Sequence, residues 1–356
     1  MKGLVLAGGH GTRLRPLTYT GNKHMLPIAN QPILFFGLRH LANAGIKDVA
    51  IILGPIQEGI REGVGDGRAF GLHVEYVEQG EPKGLAHAVL CAEEFLGEDP
   101  FLMYLGDNLL QSGVSPFVSR YEETQADAVV GATPVPDPRN FGVVETAGDQ
   151  ILSIEEKPVA PKSNLALIGV YLFTPSIHSI IRGLAPSKRG ELEITDAIWK
   201  LWKKTGKVSV LRVNGWWKDT GHPDDLLEAN ELVLKGMLPR DFRSEGVIEP
   251  GARIEGLVGM GARTLVEAGA HVVGPSILGS DVRVGSGSRV GPYCAIGNSV
   301  TVNRSRVKRS IVMDRARIDG VHLVDSLVGR NAEILRKVPS EEQIVLMLGD
   351  SSRVVL

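Results

Sequence analysis

Short apolar runs punctuated by glycine dominate the first hundred residues. Leu4-Val5-Leu6-Ala7 is one of them, and a run this short that ends in glycines predicts a buried parallel strand. Leu34, Leu38, Leu41 and Ala42 recur at helical spacing behind Pro32, and Gly45 closes the predicted helix. The same pattern predicts strands over 48–53, 72–77 and 101–105, with helices over 56–64 and 84–96. Alternation of this kind builds a mostly parallel sheet covered on both faces, with ligands outside the carboxyl ends of the strands. Strands over 128–132, 142–145 and 166–173 and helices over 176–183, 192–204 and 224–235 complete a first domain. It spans 1–240, and 238–246 reads as its boundary.

Beyond residue 247 the pattern changes period. Leu278, Val284, Val290, Ile296 and Val302 stand six apart, and Gly279, Gly285, Gly291 and Gly297 follow the first four directly. Ile248/Ile254, Val266/Val272, Val312/Ile318/Val324 and Val328/Ile334 keep the step in other registers. This is the hexapeptide repeat of a parallel β-helix, in which three hexapeptides make one triangular coil. The stretch 247–335 holds about five such coils. Residues 336–356 read as a cap or tail, with 344–348, after Pro339, covering the open end.

Composition narrows the function. Lys+Arg 39 against Asp+Glu 41 argues against a general nucleic-acid surface and leaves room for a local basic pocket. Cys91 and Cys294 stand far apart without metal-ligand spacing, which fits a reducing cytoplasm. Met1-Lys2 and the apolar run after it mimic a signal peptide, but Gly8-Gly9-His10-Gly11 ends the run too early. No apolar stretch approaches a membrane span.

The stretch 3–27, GLVLAGGHGTRLRPLTYTGNKHMLP, carries the candidate chemistry. Gly8, Gly9 and Gly11 let the backbone turn sharply and bring N–H groups to an anion, and Thr12, Arg13 and Lys23 suit a polyphosphate. It is not a P-loop, since no lysine follows Gly11, and Leu14 stands where a dinucleotide fingerprint needs its third glycine. The glycines alone equally fit an ordinary strand-to-loop turn. The whole string resembles the signature of sugar-1-phosphate nucleotidyltransferases, most closely the glucose-1-phosphate thymidylyltransferases. The resemblance runs through the first 240 residues motif by motif, and the repeats are similar to the left-handed β-helix of the family's longer members. It implies a Rossmann-like catalytic domain, and a Mg²⁺-dependent, in-line attack of glucose 1-phosphate on the α-phosphorus of dTTP or UTP.

The resemblance also assigns roles. Leu105-Gly106-Asp107-Asn108 and Trp217-Lys218-Asp219-Thr220-Gly221 look like the segments that carry the two metal ligands, Asp107 and Asp219, with Lys218 in place of a usual leucine. Each aspartate alone is equally a turn or cap residue. Arg13 and Lys23 would hold the triphosphate together with Gly8, Gly9, Gly11, Thr12 and Arg189. Lys157 would hold the sugar phosphate, Glu156 would accept from sugar hydroxyls, and Asn108, Gly142 and Tyr171 would line that side. For Tyr171 a plain buried aromatic is the competing reading. Gln79 and Gly84 would read the base. His24, His87 and Phe141 replace two glutamines and a tyrosine of the family pattern. The sugar phosphate is already nucleophilic, so no general base is expected, and no Ser/His/Asp triad or metal-spaced histidine cluster is found. Neither a membrane nor a nucleic-acid partner is expected. The solenoid implies a homo-oligomer, a trimer before other forms.

Three other readings stay open at this stage. One is a UTP-using enzyme, against which Gly84-Leu85-Ala86 speaks. Another is a silent regulatory subunit, against which Arg13, Lys23, Asp107, Lys157 and Asp219 all speak. The last is an added acyltransferase activity in the repeats, where His271 and His322 are the only histidines.

Overall fold

The computed structural model describes residues 1–356 except Asp149, Pro339 and Glu341. Two compact units result, one formed by Met1–His10 with Ile33–Asp219, the other by Gly11–Pro32 with Thr220–Leu356. This partition departs from the expected cut near residue 240. Asn230 accepts a hydrogen bond from the Ala29 N–H at 2.9 Å and donates to the Tyr293 carbonyl at 3.1 Å. Polar bonds of this kind group the early segment and the last helix of the expected first domain, Pro223–Gly236, with the solenoid.

The first unit is Rossmann-like. Its sheet runs Gln150–Glu156, Gly142–Ala147, Leu165–Phe173, Phe101–Leu105, Lys2–Ala7, Asp48–Leu53, His73–Glu78. Lys2–Ala7 is parallel to both Phe101–Leu105 and Asp48–Leu53, while Leu165–Phe173 enters antiparallel. The apolar runs are buried because helices cover them. Leu4, Ile52, Phe101 and Met103 pack with Ala86, Val89, Ile177 and Ile198 in one core. The helix expected over 56–64 shrinks to Ile60–Val64, because Gly59 enters it in a left-handed conformation. The helix expected over 84–96 breaks at Ala92 into Leu85–Cys91 and Glu93–Leu96. Ser115–Thr124 and Val208–Arg212 add a helix and a strand that periodicity did not reveal.

The second unit holds three all-parallel sheets of seven, six and six strands, the faces of a left-handed β-helix. Its interior is a stack of aliphatics such as Val266, Val284, Val302, Ile318 and Ile334, all fully buried. Past Val302 some sides shorten from six residues to five, so Leu323 and not Val324 points inward. Residues expected as a cap or tail continue the solenoid. Gln343–Ile344, Met347–Leu348 and Arg353–Val355 each add a parallel strand to one face. Pro339, expected to precede the cap, lies outside the described residues. Among the described residues no helix is long and apolar enough to cross a membrane.

Candidate active site

The carboxyl end of Phe101–Leu105 places the first aspartate. The strand runs into Gly106, whose N–H bonds the Leu6 carbonyl, and Asp107 follows. Asn108–Leu110 then pairs antiparallel with Trp217–Asp219, with Asp219 directly across from Asn108. A two-stranded ladder thus sets two carboxylates that lie 112 positions apart in sequence one residue out of register. The strand's end is held firmly. Tyr104 is fully buried and donates to the Asn108 carbonyl at 2.7 Å, and burial followed by the Asp107 charge pushes its phenol far above the ordinary range. Among the described residues no three His, Cys, Asp or Glu side chains form a metal cluster of their own. Two carboxylates fit a magnesium ion whose other ligands are substrate phosphate oxygens.

Asn108, expected on the sugar phosphate, is nearly fully buried, and its Nδ2 donates to the Ile168 carbonyl at 2.8 Å. Tyr171 is also interior, stacked on Phe173, with its phenol raised by burial and by Glu156. Both side chains are held in the interior. The competing reading of Tyr171 as a buried aromatic is the one the packing supports.

The sugar-side residues gather on two adjacent strands. Glu156 pairs with Gly142, and the Lys157 N–H bonds the Phe141 carbonyl at 3.0 Å. Lys157 is exposed and sits at φ 43°, a left-handed conformation uncommon for a lysine and frequent at functional sites. Thr195 donates to Glu156 Oε2 at 3.2 Å. Burial, then Glu193, raises the Glu156 carboxyl above its usual range against the pull of Lys157 and Arg189. Arg189, expected on the triphosphate, instead lies 3.3 Å from Glu156 Oε1, 2.8 Å from Glu191 and 3.6 Å from Glu193. Three carboxylates surround its guanidinium, Glu156 among them. Thr195 and Glu193 were missed as site residues. The segment Arg189-Gly190-Glu191-Leu192-Glu193-Ile194-Thr195-Asp196 was the available signal.

The residues expected to read the base form a second cluster in the same unit. Gln79 Nε2 donates to the Gly84 carbonyl at 3.1 Å, and Gln79 Oε1 lies against Gly8. Gly84 adopts φ 102°, and a Cβ there would fall 2.5 Å from the Leu192 carbonyl oxygen, so glycine alone fits. His87 Nδ1 lies 3.3 Å from Gln79 Nε2, and burial, then Lys83, lowers its pKa and favours the neutral ring. Gly9 is exposed at the loop's tip.

In the second unit, Gly11 at φ 62° starts the short turn Thr12–Leu14. A Cβ on Gly11 would lie 3.1 Å from the Lys23 Cβ, so the stem of Lys23 lies alongside Gly11. Thr12 and Arg13 are exposed, and Arg13 Nη1 lies 3.0 Å from His222 Nε2. His222 also escaped the sequence reading. His24 is buried, with Nδ1 at 2.6 Å from Asn22 Oδ1, so it braces the turn Lys23–Met25.

The first unit thus holds a glycine turn after its first strand, an aspartate pair at a strand end, and clustered amide and carboxylate groups. The chain belongs to the nucleotidyl transferase family, whose model matches residues 2–236. Within it, the chain is 45% identical to the glucose-1-phosphate thymidylyltransferase of Streptomyces griseus, over 99% of both chains. Identity to the Streptomyces antibioticus enzyme of the same name is 42%, again over 99% of both. A Bacillus anthracis protein solved with sucrose and described as a candidate glucose-1-phosphate thymidylyltransferase superposes with a TM-score of 0.62 at 38% identity. That match covers 65% of this chain and 94% of the other.

Proposed function

We propose that this chain transfers a thymidylyl group from dTTP to α-D-glucose 1-phosphate, giving dTDP-glucose and pyrophosphate. The observation that carries the reading is the pairing of Asp219 with Asn108 at the end of Phe101–Leu105, in a chain similar from end to end to thymidylyltransferases. The nucleophile is a phosphate oxygen of the sugar phosphate, largely dianionic at neutral pH because its second pKa is about 6. It forms a bond to the α-phosphorus as the bond to the β-phosphate oxygen breaks, and pyrophosphate leaves with that electron pair. No proton has to move in this step, so the side chains align and neutralise two anions.

Asp107 and Asp219 would hold Mg²⁺, which when bound would supply charge neutralisation on the triphosphate. Arg13 and Lys23 grip the triphosphate with the N–H groups of 8–11. Lys157 binds the sugar phosphate, and Glu156, set by Thr195 and Arg189, accepts from sugar hydroxyls. Gln79 offers its amide to a pyrimidine edge beside the Gly84 backbone. A homo-oligomer and a cytoplasmic location complete the reading.

The test is pyrophosphate release from dTTP, UTP, GTP, ATP and CTP against glucose 1-phosphate and its amino sugars. Preference for dTTP supports the proposal, and preference for UTP replaces it with a uridylyltransferase. No turnover with any pair supports a regulatory subunit.

A further inference from the structure

The turns of the solenoid after the third face carry a repeated corner. Asn298 Oδ1 accepts from the Ser280 N–H at 2.9 Å, and Asp314 Oδ1 from the Asn298 N–H at 2.7 Å. Asp350 Oδ1 does the same for the Arg330 N–H at 2.7 Å in the last coil. In these three corners one side-chain oxygen accepts from the coil before, and asparagine at 298 shows that no charge is needed for it. Asp350 differs from the others in its second oxygen. Oδ2 accepts from the Thr20 hydroxyl at 2.8 Å, while the neighbouring Gly349 lies so near Pro16 that a Cβ there would stand 3.0 Å from the Pro16 carbonyl oxygen.

Thr20 lies three residues before Lys23 and seven after Arg13. The same segment is tied down at its other end. Asn30 Nδ2 donates to the Ile296 carbonyl at 2.6 Å, and the Ala29 N–H donates to Asn230 Oδ1. Lys23 stands between these ties and Thr12 and Arg13 just before the first of them, on short turns with exposed or half-exposed side chains. Two cations on an untethered loop would lose much of their binding energy to ordering. A loop already fixed does not.

We propose that Asp350 and Thr20 are positioning residues for triphosphate binding: the last coil holds the segment that presents Arg13 and Lys23. The inference rests on the proposed role of those two cations. It deepens that role by making the solenoid's final turn part of the nucleotide site.

Thr20→Val tests it in the full chain, because Thr20 is exposed and the variant leaves the Asp350–Arg330 corner intact. The expected result is a rise of about fivefold to tenfold in KM for dTTP, the effect of losing one hydrogen bond to a charged acceptor. KM for glucose 1-phosphate and the melting temperature should stay at parent values, and Thr20→Ser should restore KM for dTTP. Arg13→Ala and Lys23→Ala, run alongside, separate the two levels. If they raise KM for dTTP and Thr20→Val does not, the positioning role is overturned and the cation assignment stands. If neither raises it, the cation assignment fails and the positioning role fails with it. A fall in melting temperature with equal rises in both KM values would reduce Thr20 to an ordinary structural contact and overturn the proposal.

Discussion

Asp107→Asn and Asp219→Asn each remove one charge and keep the side-chain shape, so the ladder between Asn108–Leu110 and Trp217–Asp219 should survive. Turnover is expected to fall by at least about a hundredfold in each variant, as for loss of a main source of transition-state charge stabilisation. Chelation of divalent metal should abolish activity in the parent. Retained turnover in Asp107→Asn, at an unchanged melting temperature, would remove that residue from the metal site. Gln79 makes a different prediction, because its amide links the Gly84 carbonyl, His87 and Gly8. Gln79→Ala should raise KM for dTTP about tenfold and leave KM for glucose 1-phosphate nearly constant. Equal use of purine triphosphates by the parent would contradict the assignment of Gln79 to a pyrimidine edge.

The helix Ile33–Asn43 carries a titration consequence at the scale of elements. His40 lies 6.4 Å from the Tyr104 ring in edge contact, and its Nδ1 is buried without a hydrogen-bond partner. Burial, with Arg39 adding to it, lowers its pKa to about 4. The unfolded chain therefore takes up a proton near pH 6.5 that the folded chain refuses until about pH 4. Stability from this group is complete above the unfolded value and declines as pH falls through that window, by on the order of 3 kcal/mol. Denaturant midpoints measured from pH 7 to 4.5 should show the decline, and His40→Leu should flatten it. Elements also explain what the sequence disclosed. The central strands were legible because helices cover both faces, so runs such as Leu4–Ala7, Val49–Leu53 and Phe101–Leu105 are apolar throughout. The hexapeptides were legible because each inward aliphatic stacks on the next coil, until five-residue sides moved Leu323 into the place expected for Val324. The ladder that joins the aspartates was not legible, because three-residue strands show no period. Nor was the capture of Arg189 by Glu156, Glu191 and Glu193, which takes its geometry from a loop packed on the Gly84 turn.

At the scale of the molecule, the boundary near residue 240 has a measurable consequence. A chain ending at Arg243 keeps every motif assigned to catalysis, yet it removes Ile296, Gly349 and Asp350, against which residues 11–32 rest, and Tyr293, whose carbonyl holds Asn230. Its KM for dTTP should rise by at least about tenfold, while the sheet of the first unit keeps its core. Light scattering on both chains tests the assembly at the same time, with loss of subunits expected on truncation. One face of the solenoid stacks Arg253, His271, Arg289, Arg306 and His322 in a single outward column. Like charges around a three-fold axis repel, so subunit contacts would use the other faces or the exposed Val247, Ile248, Val355 and Leu356 at the ends. A solenoid can ordinarily gain or lose a coil, because each contacts only its neighbours. Here Asn30 holds the coil at Ile296 and Thr20 holds the one at Asp350, three strands further along the stack, roughly 14 Å at the usual strand spacing. The solenoid therefore acts as a ruler, and its coil number between those two marks is set by the reach of residues 20–30.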